Sequence, residues 1–284
     1  MSPGFGSRLM ASITRRGNLC AGIDPHPSLL EDWGLPDSPE GLQEFSDRAL
    51  EGVADVAAII KPQSAFYERH GSRGIAVLEA LLENARSAGV LTILDAKRGD
   101  IGSTMDAYAQ AYLAEGSPSA PDALTISPYL GFGSLRPAVD MAMASGRGVF
   151  VLCLTSNPEG VEVQQAEIDG VSVARQIANR AAEVNRKAGE GGIGSVGLVV
   201  GVTVASVVAD AGVDLEAING PILVPGFGAQ GGDTGLLAEV FGGVTDRAVV
   251  SSARQLLGAG PDSVALRSHA EATRDLISRG LSTG

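Results

Sequence analysis

The chain predicts a closed barrel of eight parallel strands wrapped by helices, a (β/α)8 architecture. Three observations carry that expectation. Eight short apolar runs recur along the sequence, mostly separated by stretches with helical spacing, and such alternation implies parallel strands joined by helical crossovers. Polar residues stand at the C-terminal ends of these runs all round the set: Asp24, Lys61, Asp95, Lys97, Ser127, Thr155, Gln230 and Arg254. A barrel gathers those ends into one mouth, whereas an open doubly wound sheet, the structural rival, would spread them along an edge. Glycine is abundant, with 38 residues in 284, about twice ordinary usage, which fits many tight turns between short strands. One domain spanning residues 1–284 is expected, because no linker splits off a second.

The elements follow in order. Residues 19–23 read as the first strand, ending in Asp24-Pro25-His26-Pro27. Ser38, Pro39 and Glu40 then start a helix, with a capping hydroxyl, a proline in the first turn and an acid at the positive dipole end. Leu42, Phe45, Ala49 and Val53 continue it at helical spacing. Residues 56–60 form the second strand, with Lys61 at its end. Ile75, Leu78 and Leu82 mark a helix closed by Gly89. The third strand, 91–94, leads into DAKRGDIGST and a helix through Tyr108 and Leu113, ending near Gly116. Strand four is 123–126, and a short helix over 135–144 leads to strand five, 149–154. Residues 156–170 read as a long polar connection and 171–188 as an alanine-rich helix. The flexible turn 189–194 precedes strand six, 196–202. Strand seven is 222–224, strand eight 248–250, and a last helix covers about 268–279.

Composition narrows the function classes. Apolar residues make up 44%, enough for a sizeable core. The net charge of −12 argues against nucleic acid, whose phosphates select basic surfaces, so an anionic substrate needs a local cationic pocket. Cys20 and Cys153 lie in apolar runs and read as buried reduced thiols, in keeping with a reducing cytosol. The N-terminal residues lack the apolar core of a signal peptide, and no segment approaches the roughly 18 apolar residues of a membrane span. A soluble, cytoplasmic protein without membrane partners is expected.

The charged stretch organises the rest. Along a strand alternate side chains share a face, so Asp95 and Lys97 point the same way where an apolar strand ends. A structural ion pair closing the strand is the plain alternative. Two flanking acids favour the ammonium form, which suits Lys97 to donate a proton; a Schiff-base lysine must be neutral to attack. Lys61 adds a second cation on the neighbouring strand. Across the mouth, the run PGFGAQGGD after strand seven exposes backbone N–H groups to an anion. Barrels commonly hold phosphate after strands seven and eight, and Arg254 supplies a planar cation of matching geometry. Gln230 and Gly231 join it as candidates. His26, His70 and His269 lack ligand spacing, so no metal site is expected.

DAKRGDIGST, with its apolar lead-in, resembles the signature of the orotidine 5′-phosphate decarboxylase family. Further matches are GIDP at 22–25, KPQSAF at 61–66, SPYLG at 127–131, LTSNP at 154–158, VPGFGAQGGD at 224–233 and SSAR at 251–254. Together they look like the longer bacterial and actinobacterial-type branch over nearly the whole chain, least so at 156–195. The resemblance implies cofactor-free decarboxylation of orotidine monophosphate to UMP by a homodimer with shared sites. It assigns Lys61, Asp95, Lys97 and Asp100 to the catalytic network, with Asp100 serving the neighbouring subunit. Asp24 and Lys61 would hold ribose hydroxyls, Thr104 would lie near the ribose across the interface, and Ser127 and Pro225 would meet the pyrimidine. Gln230 and Arg254 would bind phosphate, with Thr155 and Gly231 completing the binding set. Three alternatives stay open at this point. They are a magnesium-dependent sugar-phosphate decarboxylase with the same D-x-K-x-x-D core, a metal-dependent epimerase, for which histidine ligands are lacking, and a non-catalytic phosphate-binding protein.

Overall fold

The computed structural model describes residues 3–188, 192–228 and 234–282. Eight parallel strands close into a barrel: β1 (Leu19–Ile23), β2 (Ile59–Pro62), β3 (Leu91–Arg98), β4 (Ala123–Ile126), β5 (Gly148–Leu154), β6 (Val196–Val200), β7 (Ile222–Val224) and β8 (Ala248–Ser252). Closure is made by β1, which pairs with β2 through Cys20 and Ile59 and with β8 through Leu19 and Val250. The expected (β/α)8 architecture is therefore present.

Period-2 alternation explains how short strands serve two cores. Cys20, Ile59, Ile93, Phe150, Val199, Leu223 and Val249 point inward and fill the barrel. Their neighbours, such as Leu19, Ala21, Val149, Val151 and Val250, point outward and pack under the helices. Both cysteines are free and buried, and burial pushes each thiol up to about 12, which leaves them unreactive at neutral pH.

The first helix, α1 (Phe5–Arg16), has no counterpart in the sequence reading. Its Phe5, Leu9 and Ile13 are buried at i, i+4 and i+8, so one stripe faces the barrel floor and joins the interior cluster. Phe5 meets Phe150 edge-on at 5.9 Å. Gly148 is required there, since a Cβ would come within 2.2 Å of the Phe5 ring. Arg8 pairs with Asp122, whose other oxygen accepts the Thr92 amide at 3.0 Å. Each fully buried Phe or Leu contributes on the order of 1.5–3 kcal/mol, so this helix closes and stabilises the end opposite the strand C-termini.

Other boundaries shift for local reasons. The second strand starts at Ile59 and includes Lys61 and Pro62, because residues 54–56 form a turn after the preceding helix (Pro39–Val53). Strand three runs on to Arg98, and strand six stops at Val200. The connection after β5 is not irregular throughout: it holds a helical turn (Val161–Gln164) and a small antiparallel hairpin pairing Ile168 with Val171. The following helix starts at Val173, and the last spans Ser263–Ser282. Among the described residues, no helix is long and apolar enough to cross a membrane.

Candidate active site

The charges meet above the barrel interior, where β2 and β3 end. Lys61 is buried, and its Nζ donates to Asp95 Oδ2 at 3.2 Å. Asp95 Oδ1 accepts from Lys97 Nζ at 2.6 Å and from the Thr125 hydroxyl at 2.9 Å. On the other side, Lys61 Nζ lies 3.8 Å from Asp24 Oδ1, an ion-pair distance too long for a hydrogen bond. The signs thus alternate along Asp24, Lys61, Asp95 and Lys97.

Burial alone would push Asp95 up, but the two ammonium groups and the bonds from Lys97 and Thr125 outweigh it and hold the carboxyl at about 2. Burial alone would push Lys61 down; Asp24 and Asp95 outweigh that and hold its ammonium above the ordinary lysine range. Asp24 differs, because burial raises it more than Lys61 lowers it. Its Oδ1 is buried without a hydrogen-bond partner. An orphaned acceptor in a polar mouth is unfavourable until a donor arrives, which suits Asp24 to a hydroxyl-bearing ligand.

Asp95 and Lys97 do meet, but not through the regular alternation expected of a strand. Leu94 pairs opposite Leu124 and Arg98 opposite Ile126, so β3 carries two extra residues there. Lys97 takes φ +47°, the left-handed region, which costs a non-glycine residue about 1–2 kcal/mol. Such a bulge takes backbone N–H groups out of the ladder, and leaving one buried and unpaired costs about 1–3 kcal/mol. The amides of Ala96 and Lys97 instead both donate to Thr125 Oγ1, at 3.0 and 2.9 Å. Arg98 secures the far side: it donates to the Ala96 carbonyl and the Tyr112 hydroxyl, pairs with Glu68, and lies 5.7 Å from the Tyr108 ring centroid. Gly99 then lets the chain turn against β4, where a Cβ would sit 2.5 Å from the Ser127 carbonyl oxygen.

A cavity of about 340 Å³ covers this array, lined by Lys61, Asp95, Lys97, Thr125, Thr155, Gln164 and Pro225 among others. Lys97 reaches it with a half-exposed side chain. A larger cavity of about 600 Å³ lies alongside, lined by Ser127, Tyr129 and Phe132, with Leu152, Asn157 and Gln164 common to both. The smaller cavity is the better candidate, because it is the one of the two lined by Lys61, Asp95 and Lys97. Thr155 is engaged by Gln164, which accepts its amide at 2.9 Å and donates to its hydroxyl at 2.6 Å, tying the connection after β5 to the mouth.

Of the remaining expected residues, those described form no ion pair with the charge array. Arg254 is exposed at the start of a short helix (Arg254–Leu257) and forms no ion pair among the described residues. His26 leans on Phe66 at 4.2 Å and is shifted down by burial and then by Arg254. Gln230 and Gly231 lie outside the described residues. Asp100 forms no ion pair with Lys97; its Oδ1 accepts the amide of Ile101 at 2.8 Å. Thr104 is exposed on the helix Gly102–Leu113. Among the described residues, no group of three His, Cys, Asp or Glu is placed to hold a metal ion. Sequence reasoning missed Thr125 and Gln164. For Thr125 a signal existed: it is the one hydroxyl within the apolar run ALTI at 123–126.

Comparisons with known proteins bear on this geometry. Residues 17–268 match the model of the "Orotidine 5'-phosphate decarboxylase / HUMPS family". The chain is 54% identical over 269 residues to the orotidine 5′-phosphate decarboxylase of Streptomyces coelicolor, covering 94% of each chain. It is 52% identical over 268 residues to that of Salinispora arenicola, again covering 94% of each. A crystal structure from Streptomyces avermitilis superimposes with a TM-score of 0.91 at 50% identity, covering 99% of this chain and 97% of that one.

Proposed function

The chain belongs to the orotidine 5′-phosphate decarboxylase / HUMPS family, and we propose that the alternating charge array performs its chemistry, with Lys97 as proton donor. The reaction converts orotidine 5′-phosphate to UMP and carbon dioxide. The bond from the pyrimidine ring to the carboxylate breaks and leaves its electron pair on the ring carbon. The Lys97 ammonium stabilises that charge and transfers a proton to the carbon, so a C–H bond replaces the C–C bond. Lys97 then regains a proton from solvent, to which its side chain is half open. A fixed charge that meets charge developing in the transition state is the productive use of such a group.

The observation that carries this reading is the fixed position of Lys97. Its backbone is held in the left-handed region and its Nζ sits on an ionised Asp95, so little reorganisation is needed during reaction. For the rest of the substrate, Asp24 with its unpartnered Oδ1 and Lys61 take the ribose hydroxyls. Pro225 flanks the ring from the smaller cavity, and Ser127 approaches it from the adjoining larger one. Arg254 holds the phosphate with Gln230 and Gly231, and Thr155 shapes the closing connection.

The proposal extends to a homodimer with shared sites. Asp100 forms no ion pair with its own Lys97 and accepts the Ile101 amide instead. Ile101, Tyr129 and Leu130, on the connections after β3 and β4, are exposed apolar side chains beside the mouth. A second copy seated there would cover them and receive Asp100 and Thr104 near its own site. The direct test follows orotidine monophosphate by ultraviolet absorbance with and without a chelator. Consumption unaffected by chelator supports the reading; no consumption, or activity abolished by chelation, overturns it.

A further inference from the structure

We propose that Thr125 is a positioning residue for the proton transfer, fixing Lys97 at both ends through a single hydroxyl. The inference rests on the reading of Lys97 as proton donor. Thr125 is buried in the middle of β4, opposite the segment where β3 carries its two extra residues. A regular ladder offers no partner for both amides of such a bulge, and here one side-chain oxygen takes both.

The directions of these bonds follow from the hydrogen-bonding inventory. A threonine hydroxyl has one proton and two lone pairs. The Ala96 and Lys97 amides can only donate, so they occupy both lone pairs. The hydroxyl proton is left for Asp95 Oδ1, at 2.9 Å. The same oxygen receives the Lys97 ammonium at 2.6 Å. Thr125 therefore holds the lysine backbone directly and the lysine head through Asp95.

Two consequences bear on turnover. The hydroxyl cannot swing away as Lys97 gives up its proton, because both its lone pairs remain engaged. Asp95 thus keeps a donor from Thr125 throughout the cycle, and continues to aim the ammonium as it is restored. Without the hydroxyl, nothing from β4 would hold the two amides of the bulge. Lys97 would be released from φ +47° toward ordinary strand geometry, carrying Nζ away from the reacting carbon. Thr125 contacts Asp95 and the Lys97 backbone, and its role is exerted through them.

The test compares Thr125→Val, which keeps the shape and removes the hydroxyl, with Thr125→Ser, which keeps the hydroxyl. Steady-state kinetics on orotidine monophosphate and equilibrium binding of UMP are measured for both. Thr125→Val is expected to lower kcat by about 10- to 100-fold, the scale of an ångström-level misplacement, with KM and UMP affinity within about threefold of the parent. Thr125→Ser is expected to restore kcat to within about threefold. Parental kcat in Thr125→Val overturns the proposal, as does an equal loss in both variants. A loss shared by kcat, KM and UMP binding assigns a merely structural role and also overturns it. If Thr125→Val does not fold, Thr125→Ala takes its place with the same readouts. If only chains with a hydroxyl at 125 fold, the role is structural and the proposal fails. Failure of the decarboxylase reading looks different: the parent chain itself, or Lys97→Ala against it, gives the wrong answer whatever residue stands at 125.

Discussion

Replacing Asp95 by asparagine keeps the side-chain shape and removes the charge that Lys61, Lys97 and Thr125 all address. The consequence for stability can be worked from the depressed carboxyl. Asp95 titrates at about 2 in the folded chain against an ordinary 3.8. At about 1.4 kcal/mol for each tenfold change in proton affinity, that difference is worth about 2 kcal/mol of folding free energy. The sign is that of a depressed acid: the stabilisation is fully present above about pH 4, where the unfolded chain is also ionised, and is lost as pH falls toward 2. Asp95→Asn behaves as the protonated parent at every pH. Urea unfolding at fixed protein concentration, extrapolated linearly at each pH, gives the comparison. Parent and variant are expected to differ by about 2 kcal/mol more between pH 5 and 7 than at the acid limit, with about half of that excess left near pH 3. A difference that stays constant from pH 7 to pH 3 would refute the reasoning, since it would show that the ammonium groups do not hold the carboxylate ionised.

Three other outcomes are expected. Lys97→Ala removes nearly all turnover while UMP binding stays measurable by calorimetry; near-parental turnover would sink the proton-donor role. Arg254→Ala loses on the order of 2–5 kcal/mol of transition-state binding, by analogy with truncated buried charge pairs. A substrate lacking the phosphate should barely distinguish that variant from the parent, and equal losses on both substrates would place Arg254 outside the phosphate site. Mixing inactive Lys97→Ala with inactive Asp100→Ala subunits should return about a quarter of parental activity, because random exchange makes about half the dimers mixed and each mixed dimer has one intact site. Verified heterodimers with no recovered activity would show that Asp100 does not serve the opposite site.

The barrel was legible because its signal is repeated: eight apolar runs with polar C-terminal ends survive errors at any single boundary. The floor was not, since α1 declares itself only through Phe5, Leu9 and Ile13, three apolar residues in an otherwise mixed stretch. Its meaning depends on Gly148, more than a hundred residues away. In the mouth, Asp95, Lys61 and Lys97 could be read from charge at strand ends. The bulge beneath them could not, because strand periodicity predicts the same facing side chains for a regular β3 and says nothing of where the amides go. Thr125 was passed over for that reason: a lone threonine in an apolar strand reads as a tolerated polar residue until the opposite strand is seen to have two residues too many.

The charge balance of the mouth also constrains how an anionic nucleotide is captured. Asp24, Lys61, Asp95 and Lys97 contribute two charges of each sign, so the array has no net attraction for a distant anion. The chain as a whole carries −12 and repels one. At physiological ionic strength, however, charges are screened over about 8 Å, so most of that repulsion does not reach the mouth. The cation proposed to meet an approaching phosphate is Arg254, exposed and without an ion-pair partner among the described residues. On the proposed reading, recognition of the phosphate falls to a local cation on the strand-eight side of the barrel. Within the proposed site, Asp24 and Lys61 of the array serve the ribose, and Asp95 and Lys97 are left to act on the group that reacts.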